Sequence, residues 1–293
     1  KHRHKPINYK KMTKEEIINR FDINGPASND SIFGLPFDEN QAEVIVLPVP
    51  WEVTVSYTAG TAAAPAAIKK ASLQVDLFDP YIKDAWKLGI WMAPINAELN
   101  RKSGQFRAQA EAYLESFENG KSTDASPLPE INKACLAMVE LVKNETLHYL
   151  NQGKIVALLG GDHSTPLGYL QALASKYASF GILQIDAHAD LRIAYEDFEY
   201  SHASVMYNAL KIPQVEKLVQ VGIRDYCQEE VDVMNAEGKR VKTFFDRDLK
   251  HDQFRGKTWK DQVGEIVDEL PQNVFLSFDI DEAAKKAQVP SLL

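Results

Sequence analysis

The sequence predicts an α/β protein, a three-layer α/β/α sandwich with a mainly parallel sheet. Three observations support this. From about residue 43, short apolar runs alternate with helix-length amphipathic stretches, the pattern of βαβ units. At 293 residues with an ordinary apolar fraction, the chain is long enough to bury a sizeable core. Three short polar strings each directly follow an apolar β-type run, as expected for sites beyond the carboxyl ends of strands in an open α/β sheet.

The elements follow in order. Apolar runs place strands at Val44–Leu47, Ile155–Leu159, Gly181–Ile185, Leu218–Val221, Val241–Phe245 and Val274–Phe278. Between them, helices are expected near 14–20, 65–72, 106–117, 130–150, 166–177, 203–210, 228–236 and 258–269. Gly120 to Pro129, rich in Gly, Ser, Thr, Asp and Pro, reads as an exposed loop between two helices. Only one convincing strand precedes it, too little for an independent sheet, so residues 12–293 are read as a single domain. Residues 1–11 are basic and precede Met12-Thr-Lys-Glu-Glu, which looks like an ordinary start. They read as a disordered tail, either a processed leader or residues carried over from expression.

The formal net charge of -8 is spread through the chain without a basic stripe, which argues against a nucleic-acid partner. No segment has the apolar length to cross a bilayer, and no membrane partner is expected. Cys135 and Cys227 lack a CxxC spacing, so neither a disulfide framework nor a thiolate zinc site is supported. Both read as reduced thiols of a cytoplasmic protein.

The three polar strings carry the chemistry. They are Gly160-Gly-Asp-His163-Ser, Asp186-Ala-His188-Ala-Asp190 and Ser277-Phe-Asp279-Ile-Asp281. If the backbone stays extended after Ile185, alternate side chains project to one side, so Asp186, His188 and Asp190 face one place. Asp279 and Asp281 repeat the device, and the Gly160-Gly161 pair permits a sharp turn before His163. Each string alone reads as readily as a solvated loop or a cap. Four carboxylates brought into one small site would repel one another unless cations sat among them. Carboxylate oxygen with some imidazole and no thiolate suits Mn(II), although Zn, Co or Ni is not excluded by affinity order. The expectation is two Mn(II) ions per chain, bridged by Asp190 or Asp186 and by one of Asp279 and Asp281.

These residues resemble the signatures of the ureohydrolases, the family of arginase, agmatinase, guanidinobutyrase and formiminoglutamase. The similarity runs from about residue 43 to Asp281. It includes Pro48-Val-Pro-Trp51, Tyr57-Thr-Ala-Gly60-Thr and Pro65-Ala-Ala-Ile68, which look like the family's N-terminal substrate-rim segment. The resemblance implies an arginase-like fold, two Mn(II) ions, and His163, Asp186, His188, Asp190, Asp279 and Asp281 as metal ligands. It also implies hydrolysis of a linear guanidino or formimino C–N bond. The stretch from Asp190 to Ser204 is closer to bacterial agmatinases than to arginases, whose Asn-bearing segment is absent. Agmatine, cleaved to putrescine and urea, is therefore the first expected substrate. A trimer or hexamer is the oligomer the resemblance suggests.

Two metals bring a water towards ionisation at neutral pH. Attack on the guanidinium carbon then requires a proton donor to the departing amine. Asp190 is the expected carrier, and His202, on the same loop, is expected to shuttle protons with solvent or to hold the substrate. The alternative for His202 is a helix-start residue with Ser201 as a capping neighbour. Asp162 and Ser164 are expected to orient His163, the alternative being turn chemistry. Trp51 and Tyr57 read as substrate-wall candidates or as core. Arg224 with Asp225 reads as a surface pair or a subunit contact.

After Asp281 the family pattern breaks. A Leu-Asp-Pro loop, a further helix and strand, and a Glu that grips the guanidinium are expected, but the chain runs Glu282-Ala-Ala-Lys-Lys-Ala-Gln-Val-Pro-Ser-Leu-Leu293. Either the form is truncated, or its tail is joined across residues that are missing. The second reading is preferred because the upstream ligands are intact and a truncated sheet would leave an exposed edge. An intact mass near 32.9 kDa would reject it.

Overall fold

The computed structural model describes residues 9–27, 29–56, 58–118 and 126–280. They form two compact units, one drawn from 1–109 and 144–162, the other from 110–143 and 163–293.

The first unit begins with α1 (Lys14–Arg20), whose start is fixed by a reciprocal capping box. Thr13 accepts from Glu16 N, and the Glu16 carboxylate accepts from Thr13 N at 2.8 Å. Strand β1 (Val44–Val49) is buried after its first residue. Next come α2 (Ala64–Ser72), led by Pro65, then β2 (Ile90–Met92) and α3 (Ala97–Glu118). Helix α4 (Leu128–Asn151) and β3 (Ile155–Gly160) follow, with α3 from residue 110 and α4 up to residue 143 belonging to the second unit. The sheet has the order β2-β1-β3, all parallel, with Val44 paired to both Ile90 and Ile155. Ile32, Val46 and Met92 form a core under Phe33, Ile90, Ile95 and Leu159.

The second unit contains α5 (Pro166–Ala174), β4 (Phe180–Ile185), α6 (Val205–Leu210), β5 (Val215–Ile223) and α7 (Gln228–Glu237). It ends with β6 (Val241–Phe245), α8 (Asp246–Phe254), α9 (Trp259–Asp268) and β7 (Val274–Phe278). Its strands are all parallel in the order β6-β5-β4-β7. Helices cover both faces. Leu249 of α8 and Ile266 of α9 pack on Val219 and Val221. On the opposite face Tyr169 of α5 meets Phe275, and Met234 of α7 lies against the Thr243 hydroxyl.

All six expected strands are present. The sequence reading missed β2 and α8, and it began α3 nine residues late. It also placed a single strand before Gly120, where two stand. Residues 119–125 of the expected loop, and the tail from Asp281 onward, lie outside the described residues. Neither Cys135 nor Cys227 is joined in a disulfide among the described residues. Among the described residues no helix is long and apolar enough to cross a membrane.

Candidate metal centre

β4 and β5 remain tied together beyond the end of β4. Asp186 N donates to Val221 O at 3.1 Å, and Arg224 N and Asp225 N both donate to the Ala187 carbonyl, at 2.8 and 3.0 Å. The fully buried methyls of Ala187 and Ala189 take the inward positions. The expectation of extended backbone through Asp190 needs correction, because Asp190 stands at φ 53°. This left-handed residue ends the alternation, and the three side chains do not share one environment. Asp186 and Asp190 are buried, whereas the His188 side chain is 46% exposed.

His163 gathers the acids. Its Nδ1 lies 2.6 Å from Asp190 Oδ2, 3.0 Å from Asp186 Oδ2 and 3.6 Å from Asp279 Oδ2. Asp279 is brought alongside by its own N–H, which donates to Ile185 O at 2.9 Å. Ligand atoms of His163, Asp186 and Asp279 all fall within 4.8 Å of one another. His188 stands at the margin, with Nδ1 3.7 Å from Asp186 Oδ1 and Nε2 3.8 Å from Asp225 Oδ2. Asp281 lies outside the described residues.

The electrostatics show a site that demands positive charge. Burial opposes protonation of His163, yet the hydrogen bonds and charges of Asp186 and Asp190 outweigh it and hold the imidazole pKa well above its usual value. Burial, then the Asp186 charge, pushes the Asp190 carboxyl up, and His163 pulls it back only in part.

Behind the acids runs a row of polar side chains that the sequence reading missed. Thr243, Gln220, Gln184 and Ser277 are register partners across β6, β5, β4 and β7. The Thr243 hydroxyl donates to Gln220 Oε1 (2.8 Å), and Gln220 Nε2 donates to Gln184 Oε1 (2.8 Å) and Ala189 O (2.8 Å). Gln184 Nε2 then donates to Asp186 Oδ2 at 2.8 Å, while Asp186 Oδ1 accepts from His188 N at 2.8 Å. At the far end, Ser277 Oγ lies 2.8 Å from His163 Nε2, which leaves Nδ1 facing the carboxylates. No sequence signal marked the row, because β5 and β6 also carry Glu216, Lys217 and Lys242, and only strand pairing sets the four side chains at one height.

The arginase-family profile matches residues 42–287. The chain belongs to the arginase family. It is 31% identical over 246 residues to the N(1)-aminopropylagmatine ureohydrolase of Thermococcus kodakarensis, covering 83% of this chain and 69% of that one. It is 25% identical over 204 residues to an agmatinase of Bacillus anthracis, covering 70% of this chain and 60% of that one. The solved agmatine ureohydrolase of Thermoplasma volcanium shares the fold with a TM-score of 0.62 at 22% identity, over 91% of this chain and 74% of that one. The expected arginase-like α/β fold is therefore observed, and this arginase-family chain is an amidinohydrolase of the ureohydrolase group.

The donor set fits a hard divalent cation. It combines several carboxylates with imidazole, and among the described residues no thiolate joins the cluster. The remaining candidates are placed as follows. His202 opens a 3₁₀ turn (His202–Ser204), and its ring stands edge-on to Tyr195 at 5.8 Å. The Ser201 cap of the alternative reading is not made, and the Ser201 hydroxyl pairs with that of Ser204 at 3.1 Å. Asp162 N donates to Trp51 O at 2.8 Å, and Ser164 is buried. Trp51 is 1% exposed, a core residue instead of a substrate wall, and Gly161 leaves room for its backbone to close on Asp162. Tyr57 lies outside the described residues. Asp225 is an exposed neighbour of His188, which places the Arg224-Asp225 pair at the margin of the cluster.

Proposed function

We propose that the chain is a binuclear Mn(II) ureohydrolase acting on a small linear guanidino compound, with agmatine, hydrolysed to putrescine and urea, as the substrate to test first. The convergence of His163, Asp186, Asp190 and Asp279 carries this reading. His163, Asp186, His188, Asp190 and Asp279, together with Asp281, would hold the two ions. Bound there, the ions supply Lewis acidity and a water that ionises near neutral pH.

The chain's own residues do the rest. Gln184 and the His188 N–H fix both oxygens of Asp186, and Ser277 fixes the His163 ring, so the donors are aimed before anything binds. Asp190 accepts the attacking water's proton and delivers it to the departing amine nitrogen. His202 holds the substrate or exchanges protons with solvent. Names among the relatives support a second substrate, N(1)-aminopropylagmatine, which carries the same guanidino end on a longer polyamine. We further infer a cytoplasmic trimer or hexamer, which mass photometry of the full chain would test.

The Mn-loaded protein should release urea from agmatine or N(1)-aminopropylagmatine ahead of arginine and guanidinobutyrate, and ahead of formamide release from formiminoglutamate. No turnover on this panel would reject the reading. Tight binding of two Mn per chain without turnover would favour a non-catalytic metal-binding member.

A further inference from the structure

Glu196 and Asp197, between Asp190 and His202, hold φ of 54° and 65°. Phe198 N donates to Tyr195 O at 2.9 Å, closing a turn whose two central residues both have positive φ, the pattern of a type I′ turn. Such turns favour Asn-Gly or Gly-Gly, because a Cβ at positive φ crowds the neighbouring carbonyl. A Glu-Asp pair persists there only if its surroundings over-determine the conformation.

Two helices do so. Asn132 of α4 donates Nδ2 to Asp197 O at 3.3 Å and accepts from Glu199 N at 3.0 Å, clamping the backbone on both sides of Phe198. Tyr113 of α3 donates its hydroxyl to Asp197 Oδ2 at 2.9 Å, and its ring meets the fully buried Phe198 edge-on at 5.7 Å. The ends of the same loop are already fixed. Leu191 N donates to buried Glu230, Arg192 N to Ala203 O, and Met206 N and Tyr207 N to Asp190 O. What the turn still sets is the position of Tyr195. That ring stands at 88° to the His202 imidazole, with the Arg192 guanidinium 4.9 Å from its centroid.

We infer that Asn132 is a positioning residue: aided by Tyr113, it holds the strained 195–198 turn so that Tyr195 fixes the orientation of His202. The inference rests on the reading of His202 as a residue that meets substrate.

The test uses the full chain, Mn-loaded with agmatine for kinetics and metal-free, hence diamagnetic, for the His202 imidazole proton resonance, assigned as the line lost in His202→Asn. Asn132→Ala should raise KM about tenfold while kcat changes by no more than about threefold, because misplacement weakens substrate engagement without removing a reacting group. The His202 line should move in Asn132→Ala and in Tyr195→Ala. Adding Glu196→Asn with Asp197→Gly, which makes the turn self-supporting, should return both KM and the resonance towards the parent values. If Asn132→Ala does not fold, Tyr113→Phe keeps the ring contact, loses only the hydroxyl bond, and should show the same changes at smaller size. An unmoved resonance with unchanged KM, or changes that the relaxed turn does not reverse, would overturn the inference. If the parent protein turns over no guanidino substrate, the functional reading falls, and the resonance still decides the role of Asn132.

Discussion

Ser277 and Gln184 hold two candidate ligands, His163 and Asp186, without joining the cluster themselves. Ser277→Ala frees His163 Nε2 from its partner at 2.8 Å, and Mn affinity should fall by about tenfold or more, read by competition with a chelator. His202→Asn should lower kcat by about a hundredfold with two Mn per chain retained, measured by urea release beside metal analysis. The acids were legible because ligand-type residues recur at two-residue or turn spacing after strands. Spacing did not reveal that Asp190 leaves the extended region, nor that His188 faces solvent while Asp186 is buried. Gln184 and Gln220 were illegible because a glutamine inside an apolar run says nothing until pairing sets Gln184 beside Gln220 and Gln220 beside Thr243.

At the scale of elements, close approach of backbones limits what the sequence tolerates. A Cβ on Gly168 of α5 would lie 2.2 Å from Val139 O of α4, so Gly168→Ala should destabilise by about 1–3 kcal/mol, measured by urea unfolding. Lys217 of β5 anchors the end of α9 through Glu269 at 2.5 Å, and that hydrogen bond holds the Glu269 carboxyl below its usual pKa. A depressed carboxyl adds stability above its unfolded pKa, which is lost as pH falls through the folded value. The melting temperature gap between parent and Glu269→Gln should therefore be present at pH 7 and close below about pH 4. Elements with an apolar period were readable from sequence. β2 was not, being three residues long after Gly89, and α8 was not, because Asp-Arg-Asp-Leu-Lys-His-Asp-Gln-Phe buries only Leu249. Its helical form depends on Leu249 packing against β5 and α9.

For the molecule as a whole, the alternation of strand and helix made the fold class legible. The grouping of strands into β2-β1-β3 and β6-β5-β4-β7 was not, because it depends on partners distant in sequence. Folding here gathers acids that repel one another, so a bound cation should act as part of the fold. Mn at a hundredfold excess over its Kd should add about 2.7 kcal/mol per site, seen as a rise in melting temperature that EDTA abolishes. Mg at the same concentration should raise it less, since it gives up water reluctantly for imidazole.

The row from Thr243 to Ser277 carries one more consequence. Its members are amides and hydroxyls, none of which ionises in the working pH range of an enzyme. The row can orient Asp186 and His163, yet it cannot accept or lose a net charge of its own. Towards the sheet interior the acid cluster therefore meets no group that gains or loses charge, while on its other side the His188 side chain faces solvent.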